Sequence, residues 1–254
     1  MRKKLQNITN KYLAGVITIA GILILWQIMY EIQVVPHFML PSPVLVLKAF
    51  AADFSLLMKH SVVTITEAVI GLGTSVFLGL LLAVLMDSVP IIYKAIYPLI
   101  IISQAVPVIA VAPLLVLWFG YGIAPKVLLI VSVCFFPIAV NLFDVFKNVD
   151  SDQINLLKSM GGNRVQQFIH IKFPYALPVF FSSLKISITY SVVGAVISEW
   201  LGGDQGLGVY MTRVRKSYSF DKMFAVIFLI VTISLVLIVI TKIIEKRVLK
   251  YKEM

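Results

Sequence analysis

The stretch Asn155–Pro178, NLLKSMGGNRVQQFIHIKFPYALP, is a polar, basic, helix-forming interruption in an otherwise apolar chain. Around it, 60% of the 254 residues are hydrophobic, 13% are charged, and the mean hydropathy is +0.98. A soluble domain holds roughly 45–50% apolar and 25% charged residues. The balance predicts an integral membrane protein. Its apolar runs read as helices, because an isolated strand in lipid leaves its backbone groups unpaired. The expected fold is therefore all-α and polytopic.

Six runs approach or exceed the ~20 residues that cross a bilayer: Tyr12–Tyr30, Val62–Met86, Tyr97–Phe119, Val127–Phe146, Phe180–Trp200 and Met223–Ile244. They leave no room for a separate catalytic domain, and no catalytic residues are assigned. The first run lacks a small-x-small cleavage site and is expected to be a retained span. The whole chain reads as one transmembrane domain, with an N-terminal span in 1–35, a five-helix core in 60–254 and the polar loop in 148–178. With the N-terminus inside, the inner segments hold fourteen Lys and Arg and the outer segments seven, while Lys185 falls in a span. This bias predicts that both termini and the opening loop lie in the cytoplasm. Topology and anionic lipid then account for the net charge of +10, with no call on nucleic acid.

The lone cysteine, Cys134, sits mid-span and reads as a small buried residue, with no disulfide and no metal cluster. His37, His60 and His170 are scattered and are expected in loops. Within the polar segment, Asp150 and Gln153 have capping-box spacing, and Gly161-Gly162 supplies the freedom that ends a short helix. Asn163 and Gln166 repeat the box, and Pro174 is expected to stop the second helix. Two short amphipathic helices at a glycine hinge result. On helical physics alone they could lie on the membrane surface, aided by Lys158, Arg164 and Lys172.

The segment also resembles the signature of the membrane subunits of binding-protein-dependent ABC importers, which runs Glu-Ala-Ala, three residues, Gly, nine residues, Ile, one residue, Leu-Pro. The matching positions are Asn155, Leu156, Leu157, Gly161, Ile171, Phe173 and Pro174. Asn155 replaces the acid, Leu156 and Leu157 the alanines, and Phe173 the leucine. The resemblance implies that the two helices are coupling helices docking on a separate ATPase, with Leu157, Gly161 and Phe168 as candidate contacts. LPSPVLVLKAF after the first span is similar to the nitrate, sulfonate and taurine branch. SQAVPVIAVAPLLVLWFGYGIAPKVLL, CFFPIAVN and YSVVGAVISEWLGGDQGLG resemble permeases for the hydroxymethylpyrimidine precursor of thiamine.

What this implies is alternating access in the inner membrane of a prokaryote. A solute-binding protein docks outside, two permease copies, expected as a homodimer, form the pathway, and two ATPases carry ATP and Mg. This chain carries no cofactor, and no G-x-x-x-x-G-K-[ST] loop occurs in it. Pathway candidates are Gln104, Asn141, Tyr190 and Glu199, with Thr189 a further polar position in a span; Glu199 opens a Gly-rich stretch that resembles the family's outer loop. Glu67 and Lys185 are expected in structural bonds. Gly71, Gly73, Ser75 and Gly79 suit close helix packing, and Pro107 and Pro113 suit a broken third span. A sulfonate, taurine or nitrate importer, an ion-coupled carrier and a non-transporting scaffold are the competing readings.

Overall fold

The computed structural model describes residues 2–250, with side chains from Leu13 onward. The charges at Arg2, Lys3, Lys4, Lys11 and Lys252, used in the orientation count, lie outside these side chains. The helices are α1 (Arg2–Glu31), α2 (Pro43–Ala52), α3 (Phe54–Ser88), α4 (Pro90–Ser103), α5 (Val108–Phe119), α6 (Ile123–Lys147), α7 (Ser151–Ser159) and α8 (Arg164–Gln167). A π-turn (Phe168–Lys172) leads into α9 (Phe173–Gly202), followed by α10 (Leu207–Lys216) and α11 (Phe220–Val248). No strand occurs among the described residues.

Five helical stretches are long and apolar enough to cross a membrane, and α4 with α5 makes a sixth apolar unit bent by 103°. The third span, expected over Tyr97–Phe119 and broken at its prolines, is thus two helices, and the first of them starts upstream at Pro90. Pro107 stands at the N-cap of α5 in extended geometry and biases the preceding residue away from the helical region. Pro174 does not end the hairpin's second helix. The chain stays helical from Arg164 to Gly202, because Phe173 donates its amide to the Phe168 carbonyl five residues back and the regular ladder restarts there. Pro174 falls just past this wide turn, where the change from five-residue to four-residue bonding accommodates the amide it lacks.

Helix extents also correct three side chains. His60 lies buried on α3, which starts well upstream of Val62, and His170 lies in the π-turn; neither is a loop residue. Lys126, counted with an outer segment, is buried in the first turns of α6.

The chain packs as two units. In one, Met1–Met58 with Tyr210–Leu229, Trp26 stacks on Phe228 at 5.8 Å between centroids and lies against Phe224. Asp53, which ends α2, accepts from the Tyr210 hydroxyl at 2.5 Å and pairs with Lys222 at 2.7 Å. The Lys222 ammonium and the Tyr210 hydroxyl hold the Asp53 carboxyl below its usual range. Burial, then the neighbouring carboxylate, pushes the Tyr210 phenol up, so it remains a donor.

In the other unit, Lys59–Val209 with Ile230–Met254, α6 and α9 form the centre. Ile130, Cys134, Val192 and Ala195 make one apolar cluster, and Ile138, Leu142, Phe143 and Phe146 anchor another. Polar bonds cross the same interface. Cys134 donates to the Ser187 carbonyl, Ser187 returns a bond to the Cys134 carbonyl at 2.9 Å, and Asn141 donates to Ser183 at 2.9 Å. Glu67 pairs with Lys126 at 2.5 Å and Lys185 with Glu245 at 2.9 Å, so both ionisable residues expected in structural bonds are so engaged. Of the small residues on α3, Gly71 and Gly79 meet α6 so closely that a Cβ would overlap Ile130 and Ile138, whereas Gly73 faces open space.

Two outcomes follow from this packing. Gly71→Leu is expected to destabilise the protein by about 1–3 kcal/mol through overpacking, lowering the melting temperature in detergent, while Gly73→Leu leaves it unchanged. For Asp53 the sign is that of a depressed acid: its contribution is full above the ordinary value near 3.8 and is lost as pH falls through the lowered folded value. Asp53→Asn is therefore expected to flatten the fall in thermal stability between about pH 5 and pH 3.

Candidate functional site

Two constellations lie at opposite ends of the helix that runs from Arg164 to Gly202. The first is the α7–α8 hairpin. Asp150 caps α7 by accepting from the Asp152 amide at 2.9 Å, a shorter reach than the box with Gln153 that the spacing suggests. The turn is a paired glycine stop: Gly162 donates to the Leu157 carbonyl at 2.9 Å and Gly161 to the Lys158 carbonyl at 3.0 Å. Gly161 has φ +85°, and a Cβ on Gly162 would lie 2.7 Å from Leu157 Cγ, so each glycine is required for a different reason. At Asn163 the full capping box forms. Its Oδ1 accepts from the Gln166 amide at 2.9 Å, and Gln166 Oε1 accepts from the Asn163 amide at 2.8 Å.

These bonds fix which side chains face outward. Leu156, Met160, Val165 and Ile169 are all more than half exposed, paired at i, i+4 on the two helices. Leu157 is half-buried beneath the glycine turn, and Phe168 turns inward with its ring 5.3 Å from Phe146 and 6.2 Å from Phe173. Asn155 is exposed and Ile171 half-buried. Of the expected contacts, Leu157 and Phe168 are thus packed inward, while the outward apolar set holds Leu156 together with Met160, Val165 and Ile169, which were not among them. The i, i+4 spacing of those residues is the signal that could have identified them.

The second constellation closes around Glu199, which is only 2% exposed. Its Oε1 accepts from the Thr64 hydroxyl at 2.6 Å and its Oε2 from the Gly208 amide at 2.5 Å. Thr64 Oγ1 in turn accepts from the Leu207 amide at 2.9 Å, and His60 Nδ1 accepts from the Gly206 amide at 2.9 Å. Three consecutive amides at the start of α10 are thus satisfied by His60, Thr64 and Glu199. An N-terminus carries orphan donors and partial positive charge, which a buried carboxylate complements. The His60 bond requires an unprotonated Nδ1. A Cβ at Gly206 or Gly208 would overlap the Glu199 carboxylate, so the glycines permit close approach as well as bending. Sequence reading found Glu199 and its glycines, but not His60 and Thr64.

The other pathway candidates do not gather there. Gln104 is exposed at the break between α4 and α5. Asn141 is spent on Ser183, about 24 Å of helix rise from Glu199. Tyr190 is exposed on α9, about 13 Å along the same helix. Among the described residues, no three His, Cys, Asp or Glu side chains group to hold a metal.

Residues 75–250 match the family described as binding-protein-dependent transport system inner membrane component. The chain is 37% identical over 210 residues to the formylaminopyrimidine transport permease protein ThiX of Halalkalibacterium halodurans, covering 82% of this chain and 84% of that protein. It is 28% identical to the taurine transport system permease protein TauC of Escherichia coli, covering 87% and 82%. In fold it is similar to a chain in the crystal structure of an amino acid ABC transporter with histidines, with a TM-score of 0.61 at 16% identity, covering 80% of this chain and 96% of that one.

Glu199→Ala removes the acceptor for both Thr64 and the Gly208 amide, and such orphaned buried groups cost about 1–3 kcal/mol. The expected readout is faster amide exchange at 206–210 with exchange in α6 unchanged. Uniform loss of protection across the unit would instead mark Glu199 as a general folding residue.

Proposed function

The chain belongs to the family of binding-protein-dependent transport system inner membrane components, and from that premise we propose that it moves a pyrimidine of the thiamine-precursor class by alternating access. It is an ABC importer permease and a multi-pass membrane protein. The ATPase that drives it is a separate subunit, present in two copies with ATP and Mg, and it docks on the α7–α8 hairpin. Two copies of the permease enclose the pathway, and an extracytoplasmic binding protein delivers the solute. The excess of Lys and Arg in alternate loops supports placing the hairpin and both termini in the cytoplasm.

The observation that carries this reading is the hairpin itself. Its exposed apolar residues sit on two capped helices, and the second is continuous with a long apolar helix. A push on the exposed tip therefore reaches the spanning helix without crossing a flexible joint. The pyrimidine assignment is supported by the likeness to a formylaminopyrimidine permease; the likeness to a taurine permease supports a sulfonate importer as the second reading.

Proteoliposomes holding the permease, its ATPase and its binding protein are expected to take up labelled aminopyrimidine only with ATP inside the ATPase compartment. Gly161→Val forces a β-branched residue to positive φ and undoes the hairpin turn. It is expected to reduce ATPase co-purification and uptake at least ~10-fold while leaving membrane insertion intact. Uptake that persists without ATP and collapses with an ionophore would identify an ion-coupled carrier, and uptake of taurine alone would select the sulfonate reading.

A further inference from the structure

A cleft of about 510 Å³ opens between the hairpin and the junction of α3 with α4. Val84, Val165 and Phe168 form its apolar part, while Asp87, Lys172 and Arg164 supply the charge. Lys172 in the π-turn donates to both oxygens of Asp87, at 2.6 and 2.7 Å, so those two charges answer each other. Arg164 is exposed at the start of α8, and no ion pair or side-chain hydrogen bond of the described residues engages its guanidinium. The sequence holds no carboxylate between Asp152 and Glu199 that could reach it from the same hairpin. The cleft therefore has an apolar floor, an internally neutralised wall and one uncommitted cation.

We propose that this cleft receives an acidic side chain of the ATPase subunit, with Arg164 binding the carboxylate and Val84, Val165 and Phe168 packing on its stem. This rests on the importer reading and adds the chemistry of the contact. A guanidinium offers a paired donor fork that matches a carboxylate, and a single negative charge balances the single excess positive one. A phosphate dianion would instead set its second charge against Asp87. Because Asp87 lies in the last turn of α3 and Arg164 begins the helical run that continues to Gly202, the partner's side chain would touch the ends of two long helices at once. One partner movement would then act on both.

The test uses the tagged full-length permease co-expressed with its ATPase. Arg164→Glu is expected to lower ATPase recovery at least ~30-fold, as for loss of a buried charge contact. Arg164→Lys retains charge without the fork and should recover part of the binding. Association of the unaltered protein should fall with rising salt more steeply than that of Arg164→Gln. Met160→Asp, placed on the apolar tip away from the cleft, tests hairpin docking separately. If Met160→Asp abolishes recovery while Arg164→Glu binds normally, the acidic contact is overturned and the importer reading stands. If the unaltered permease recovers no ATPase, both fall. If Arg164→Glu changes only the amount of co-purified phosphatidylglycerol, the cleft is a lipid site and the proposal is overturned. Equal membrane insertion and monodispersity of the variants exclude misfolding as the cause.

Discussion

Polar side chains in an apolar helical chain must find partners within the chain, because hydrocarbon supplies none. That constraint sets the register of the central helices here. Glu67 on α3 is held by Lys126 on α6, Asn141 on α6 by Ser183 on α9, and Cys134 and Ser187 exchange bonds between α6 and α9. Breaking one side of a buried pair such as Glu67 and Lys126 costs about 3–5 kcal/mol, so sliding one helix against its neighbour by a turn is disfavoured at several points together. Close packing at Gly71 and Gly79 follows from the same alignment.

The Glu199 cluster answers that constraint with a different chemistry. Its carboxylate has no lysine or arginine as a direct hydrogen-bond partner; it is held by a threonine hydroxyl and a helix amide, with His60 and Thr64 satisfying the next two amides. The arrangement fastens the Gly206–Gly208 segment to His60 and Thr64 of α3 and to Glu199 of α9 through main-chain groups, which side-chain substitution elsewhere leaves in place. The Gly-rich sequence is the complement of this bonding, since any side chain at Gly206 or Gly208 would occupy the carboxylate's space.

Legibility in the sequence followed the range of the interactions. The hairpin was readable because its determinants are local: the Asn163–Gln166 box and the Gly161-Gly162 stop each act within a few residues. Helix limits were less so. His60 and Lys126 read as loop residues because their buried pairing, which makes a polar residue acceptable inside a helix, comes from segments distant in sequence. Pro174 read as a stop because a regular α-ladder was assumed, whereas a turn of wider hydrogen bonding precedes it. Glu199 was visible beside its glycines, but nothing near it in the chain pointed to Thr64.

That wider turn also sets the azimuth of the hairpin. A π-turn accommodates one residue beyond the α-helical count, and each residue of an α-helix advances the chain by about 100° around its axis. The direction in which Val165 and Arg164 point is therefore set by how the five residues Phe168–Lys172 wind ahead of α9, not by the composition of α8. Excising one residue there would let the turn close as regular α-helix with the azimuth of the tip nearly unchanged, whereas excising one residue from α9 would turn the tip by about 100°. The orientation of the hairpin is thus encoded as a phase, which point substitutions conserve, the wide turn buffers, and a single-residue deletion in α9 does not.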